Sequence, residues 1–196
     1  MSEETTITQQ HEPGSVWVIS GPAGVGKGTL VNLLRAQYRQ LWVSLSVTTR
    51  ARRPPREQDG VHYRFISEEE FLHLRDTDGL LEWAHVHGSA YYGTPRQPVL
   101  DAVAAGRTVI LEIEVQGARQ VRQTMPEARS IFIDPPTWEV LVRRLAGRGT
   151  ETPPEQQARR LETARKELAM RSEFDYVVVN DNVERAVAEL VSLLGL

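Results

Sequence analysis

Residues Gly21-Pro-Ala-Gly24-Val-Gly26-Lys27 constrain this chain more than any other stretch, because they match the spacing G-x-x-x-x-G-K between an apolar run and a helical pattern. The run before them, Val16–Ser20 (VWVIS), reads as a buried strand. After them, 28–40 carries Leu30, Leu33 and Leu34 at helical spacing. Glycines let the backbone curl so that successive N–H groups converge on phosphate oxygens, and the helix that follows adds its positive N-terminal end. A lysine at the position of Lys27 reaches the β- and γ-phosphates of a bound nucleoside triphosphate. The expected triphosphate site is therefore Gly21, Pro22, Ala23, Gly24, Val25, Gly26 and Lys27, with Gly28 and Thr29 behind them. Where such loops carry Ser or Thr after the lysine, this chain has Gly28, so the oxygen offered to Mg²⁺ there is left to Thr29 or to water.

Composition narrows what else the chain can be. At 196 residues it suits one well-buried domain, expected over 15–196. It has no cysteine, which excludes disulfide frameworks, thiolate metal sites and cysteine nucleophiles, and is compatible with a reducing cytoplasm. No apolar run approaches the roughly 20 residues of a membrane span. The opening MSEETTITQQHEPGS has neither a basic nor an apolar signal region, so 1–14 is expected to be a disordered polar tail and the protein to work in the cytoplasm. A net charge of −3 argues against a chain-wide nucleic-acid surface. Of the 23 basic side chains only Lys27 and Lys166 are lysines, a ratio that arginine-rich codon usage explains. Nothing in the sequence sets an oligomeric state.

Along the rest of the chain, strands alternate with helices. An irregular stretch rich in Arg and Pro covers 48–60, and 63–66 reads as a strand. Ser67 is expected to cap a helix, with Glu70 completing a capping box. Leu80–Val86 and 90–93 read as short strands around a turn, and Pro95 as the start of a helix ending near Gly106. Buried strands follow at 108–113, 130–133 and Tyr176–Val179, and helices at about 116 onward, 138–145, 154–170 and Val183–Leu194. The alternation predicts an α/β fold, a parallel sheet with helices on both faces. Two segments break the rhythm, about 45–97 and the arginine-bearing loop near 147–160, and these are expected to bind substrate and to close over it.

Several stretches beyond the phosphate loop resemble the guanylate kinase family, over about 16–194. They are Ser46-Val-Thr-Thr-Arg50-Ala-Arg-Arg53, Gly60-Val-His-Tyr63, Leu81-Glu82-Trp83-Ala84, Tyr91-Tyr92-Gly93-Thr94, Leu111-Glu112-Ile-Glu114-Val-Gln-Gly117 and Arg144-Leu-Ala-Gly-Arg148-Gly-Thr-Glu151. The resemblance implies ATP-dependent phosphorylation of GMP, and of dGMP, by a P-loop domain with an inserted GMP-binding segment (45–97) and a short lid (138–160). It implies that Ser46, Arg50, Arg53, Tyr63 and Tyr92 hold the GMP phosphate, a task suited to forked guanidinium groups and hydroxyl donors. Arg52 and Arg56 read individually as solvated side chains.

The same resemblance makes Glu82 and Thr94 the readers of guanine, with Glu114 and Gly117 beside the base. Glu112 and Glu114 follow a buried strand at its carboxyl end, where open α/β sheets face their ligands, and Glu112 can hold waters around the Mg²⁺ that accompanies ATP. Arg144, Arg148 and Arg160 would close over the triphosphate, and phosphoryl transfer needs such positioning and positive charge. Arg159 fits the ungapped spacing and Arg160 a lid with one inserted residue. Lys27, Arg50, Arg148 and Arg160 are the expected catalytic residues, and Asn180 resembles the family's adenine-side loop. His85 and His87 lack a third ligand, so no metal site is expected there. The pair Gly28-Thr29 resembles adenylate kinases and leaves a second monophosphate kinase as the rival reading. A non-catalytic scaffold of this family would be expected to have lost the phosphate loop.

Overall fold

Val16–Ser20 is buried along its whole length and forms β1, the middle strand of the sheet, as an apolar run flanked by helical segments must. The structure is a computed structural model that describes residues 14–55, 57–86, 90–147 and 153–196. After β1 come α1 (Lys27–Gln37), β2 (Leu41–Val43), β3 (Val47–Thr48), β4 (Arg64–Phe65), α2 (Glu68–Asp76), β5 (Leu80–Val86) and β6 (Ala90–Pro95). The second half contributes α3 (Arg96–Ala104), β7 (Thr108–Glu112), α4 (Val115–Thr124), β8 (Arg129–Asp134) and α5 (Trp138–Ala146). It closes with α6 (Pro154–Ala169), β9 (Tyr176–Val179) and α7 (Val183–Leu194).

The main sheet has five strands in the order β2-β7-β1-β8-β9, every pair parallel. Alternate β1 residues face opposite layers. Trp17 and Ile19 pack with Leu30, Val31 and Leu34 of α1 and with Leu190 of α7. Val16 and Val18 pack with Val99 of α3 and Val121 of α4. Burying each such aliphatic side chain contributes about 1.5–3 kcal/mol, so both helical layers are fixed to β1. The register sets Ile19 beside Glu112, which brings the end of β7 next to the start of the phosphate loop.

The second sheet, order β4-β3-β6-β5, lies within the irregular-rhythm segment and has its own small core of Val47, Phe71 and Leu80. Here β3 pairs parallel with β4 and antiparallel with β6, and β5 and β6 form an antiparallel pair. The Ser67 hydroxyl caps α2 by accepting from the Glu70 N–H at 3.1 Å. The other half of the expected capping box is replaced, since the Glu70 carboxylate pairs with Arg64 at 2.9 Å.

Several boundaries differ from the sequence reading. The first helix ends at Gln37, not 40, because Tyr38 is extended while its N–H still donates to Leu34 O. The expected strand at 63–66 shortens to Arg64–Phe65. Finally, β7 stops at Glu112, not 113, so Glu112 ends the strand and Glu114, beyond it, is the N-cap of α4. The expected polar tail, apart from Gly14, lies outside the described residues. Among the described residues no helix is long and apolar enough to cross a membrane.

Candidate active site

The phosphate loop turns from β1 into α1 with Gly26 at φ 105°, a left-handed conformation that favours glycine. A Cβ on Gly26 would also stand 2.5 Å from Asn180 Nδ2, so two constraints demand glycine there. The loop is braced from behind. Asn180 Nδ2 donates to Val25 O at 2.8 Å, and Arg144 donates to Val25 O and Asn180 O, both at 3.1 Å. Arg144 is thus tied to the backbone of the loop in this structure, and Asn180 is buried beneath it. The Lys27 ammonium donates to Gly21 O at 2.5 Å and Pro22 O at 3.3 Å.

Around this loop lie three glutamates. A Cβ on Gly28 would stand 3.4 Å from Glu112 Oε1, so this carboxylate rests against the first turn of α1, where Thr29 is exposed. Those two oxygen donors fit Mg²⁺, which keeps several waters and takes few protein ligands beside substrate phosphates. Among the described residues no cluster of three or more His, Cys, Asp or Glu is placed to hold a metal by itself. Glu167 of α6, which the sequence reading missed, accepts from the Ala23 N–H. Its Oε2 is buried without a hydrogen-bond partner among the described residues. Burial pushes its carboxyl up to about 7, reinforced by nearby Glu114 and opposed by Lys27.

A cavity of about 250 Å³ separates the two sheets, lined among others by Ser46, Tyr63, Glu82, Tyr92, Glu112, Glu114 and Gly117. Beside it, Arg50 Nε donates to the Tyr92 hydroxyl at 2.9 Å. The same guanidinium forks onto Glu57 at 2.7 and 3.0 Å and reaches Ala51 O at 2.8 Å. Arg50 also lies over the rings of Tyr63 and Phe65, 5.7 Å from each centroid. The Arg50 hydrogen bond holds the Glu57 carboxyl down to about 2. Glu57 is the second residue missed; it closes the run Arg53-Pro-Pro-Arg-Glu57, within the stretch read only as irregular. Arg53 meets this cluster through its backbone, its N–H donating to Glu57 Oε2 at 2.9 Å and its carbonyl accepting from the Glu57 N–H at 3.1 Å, while its side chain is exposed.

Glu82 is the deepest charged side chain of the cavity, 7% exposed on β5 and opposite Thr94 of β6. The Thr94 hydroxyl donates to Glu82 Oε1 at 2.6 Å. A Cβ on Gly117 would stand 2.6 Å from Glu82 Oε2, so the first turn of α4 admits the carboxylate only because residue 117 is glycine. Burial raises the Glu82 carboxyl to about 7, against the Thr94 hydrogen bond and with help from Glu114. A carboxylate this buried calls for further donors.

The remaining expected residues divide. Arg160 is half-buried on α6, Arg159 and Arg52 are exposed, and Arg148 and Arg56 lie outside the described residues. His85 stacks on Tyr91 with centroids 4.3 Å apart, and His87 lies outside the described residues.

With its glycine-rich loop between β1 and α1 and a cavity lined by Tyr63, Glu82 and Tyr92, the fold is that of the P-loop kinases. The family model described as guanylate kinase matches residues 14–195. The guanylate kinase of Cutibacterium acnes is 61% identical over 184 residues, 94% of this chain and 92% of that protein. That of a Mycobacterium species (strain MCS) is 56% identical over 92% of this chain and 91% of that protein. The crystal structure of guanylate kinase from Anaplasma phagocytophilum superposes with a TM-score of 0.74 at 33% identity, covering 94% of this chain and 86% of that one. A shikimate kinase structure from Bacteroides thetaiotaomicron, at 15% identity, 93% and 99% coverage and a TM-score of 0.51, shares the fold alone. The chain belongs to the guanylate kinase family.

Proposed function

We propose that this chain transfers the γ-phosphoryl group of ATP to GMP, giving ADP and GDP, that dGMP serves as well, and that the reaction recycles guanine nucleotides. Family membership over nearly the whole chain supports the overall reaction. One observation carries the acceptor side, the buried Glu82 carboxylate hydrogen-bonded to Thr94 in a cavity that Tyr63 and Tyr92 also line. Guanine presents N1–H and N2–H side by side, and one carboxylate accepts both. Thr94 meets the base with its hydroxyl, while Glu114 and Gly117 border it. Ser46, Arg50, Arg53, Tyr63 and Tyr92 hold the phosphate, and Glu57 pre-orients Arg50 for that contact.

On the donor side, residues Gly21 to Thr29 cradle the triphosphate, Arg144 closes over it, and Asn180 stands towards the adenine. Lys27, Arg148 and Arg160 stabilise charge as the phosphoryl group moves, and Arg50 does so from the acceptor side. Glu112 and Thr29 would hold the Mg²⁺ that accompanies ATP, which when bound neutralises charge on the β- and γ-phosphates. Closure of segments 45–97 and 138–160 excludes water from the transfer. Cytoplasmic action is part of this proposal, and the cysteine-free composition is compatible with a reducing compartment. The rival adenylate-kinase-like reading rests on Gly28-Thr29 alone, and the relatives do not favour it. Incubation with ATP, Mg²⁺ and GMP, with products separated by chromatography, tests the reaction. Equimolar ADP and GDP are expected; ADP with phosphate and no GDP would contradict it.

A further inference from the structure

The outer edge of the second sheet is formed by β5, whose backbone groups pointing away from β6 need partners. Helix α4 supplies them with side chains. The Gln120 amide donates to Trp83 O at 2.8 Å and accepts from Trp83 N–H at 3.1 Å, as a neighbouring strand would. One turn on, the Thr124 hydroxyl donates to Leu81 O at 2.8 Å. These contacts grip the two peptides that flank Glu82. Gly117, Gln120 and Thr124 recur at three and four residues, which places them on one face of α4. Apolar packing of Leu81 against Ala118 and Val121 brings β5 to the helix, but such contact is non-directional and leaves the strand free to slide. The hydrogen bonds set where along the helix it stops. The Trp83 ring, 37% exposed, packs against Tyr91 and beneath Arg75, contacts that do not fix the strand's register on α4.

We propose that Gln120 and Thr124 are positioning residues for base recognition, which hold Leu81 and Trp83 so that the carboxylate of Glu82 meets the guanine edge. The proposal rests on the reading of Glu82 as the guanine acceptor. Neither residue touches the nucleotide; both act through the backbone of β5. A carboxylate that reads two adjacent donors tolerates little displacement, since hydrogen bonds weaken steeply outside their distance and angle range.

The test combines Gln120→Leu with Thr124→Val, which keeps shape and removes all three bonds, and measures KM and kcat for both substrates. A rise of about tenfold in KM for GMP is expected, with kcat at saturation and KM for ATP within twofold of wild type. The milder pair Thr124→Val and Thr124→Ser guards against loss of folding: valine should raise KM for GMP and serine, which keeps the hydroxyl, should restore it. Unchanged KM for GMP in the folded variants would overturn the proposal. So would KM values for GMP and ATP rising together with a lowered Tm, the signature of general damage. Glu82→Gln is the parallel arm. If it leaves the preference for GMP intact, the reading of Glu82 falls; if it destroys that preference while the α4 variants behave as wild type, only the positioning role falls.

Discussion

Thr94 and Glu82 face each other across the β5–β6 pair, and the threonine hydroxyl donates to the glutamate at 2.6 Å with both side chains buried. That bond fixes one carboxylate oxygen while Gly117 leaves just enough room for the other. The result is a buried, pre-aimed acceptor, the kind of group with which a pocket can discriminate between bases by hydrogen bonding.

Holding a carboxylate there has a pH signature. The Glu82 carboxyl is raised from 4.5 to about 7, first by burial. Between those values the unfolded chain has released a proton that the folded chain retains, so this contribution to stability is fully present below about 4.5 and lost as pH rises through about 7. The linkage relation puts the loss at roughly 3 kcal/mol. Glu167, also raised to about 7, acts in the same sense. Glu57, held down to about 2, acts oppositely, its contribution lost only as pH falls below 4.5 towards 2. Thermal melts of ligand-free enzyme should show Tm falling between pH 5 and pH 8, and Glu82→Gln should flatten that fall. A slope unaffected by the substitution would contradict the burial account.

Gly117→Ala should be more damaging than its size suggests. The added methyl meets Glu82 Oε2 at 2.6 Å from a helical backbone that cannot withdraw. Steady-state kinetics should give KM for GMP raised about tenfold or more with KM for ATP unchanged. Equal effects on both substrates would place the lesion outside the base site.

Lys27→Met should lower kcat by about 10² or more, the scale for losing one electrostatic stabiliser of a transition state. The lysine donates to carbonyls of its own loop, so the fold should survive. Near-normal turnover in a folded variant would remove Lys27 from the phosphoryl path.

The choice between neighbouring arginines on α6 is testable in the same way. Arg160 is half-buried and Arg159 exposed. Arg160→Met should reduce kcat far more than it raises KM for GMP, while Arg159→Met stays within about twofold, because contacts that tighten in the transition state appear in kcat. The reverse pattern would move the lid role to Arg159.

How much of this was legible in the sequence depends on the range of the forces involved. Val16–Ser20 and the glycines after it announce strand, loop and helix because burial on two faces and a left-handed turn leave direct marks on residue choice. The Ser67 cap is local and equally visible. By contrast, Leu41–Val43 is a three-residue edge strand held by pairing with β7, which no short pattern records. Glu70 turned to Arg64, a charged partner on the expected strand β4 that the capping-box pattern does not take into account. Glu57 and Glu167 look like surface glutamates until the fold sets one against Arg50 and the other under Ala23. The Arg53 side chain is exposed and hydrogen-bonds none of the cluster that its spacing suggested, and its backbone makes the contacts to Glu57 instead.

The most direct test of the central claim is the ratio of kcat/KM for GMP to that for AMP in the unmodified enzyme. Adenine presents an acceptor at N1 and no amino group at C2, so it would offer the buried Glu82 carboxylate no donor beyond Thr94, which costs roughly 1–3 kcal/mol or more. Sites built on such bonds reach about 10⁴-fold discrimination. A ratio of that order is predicted, with CMP and UMP rejected as well; phosphorylation of AMP as readily as GMP would contradict the account.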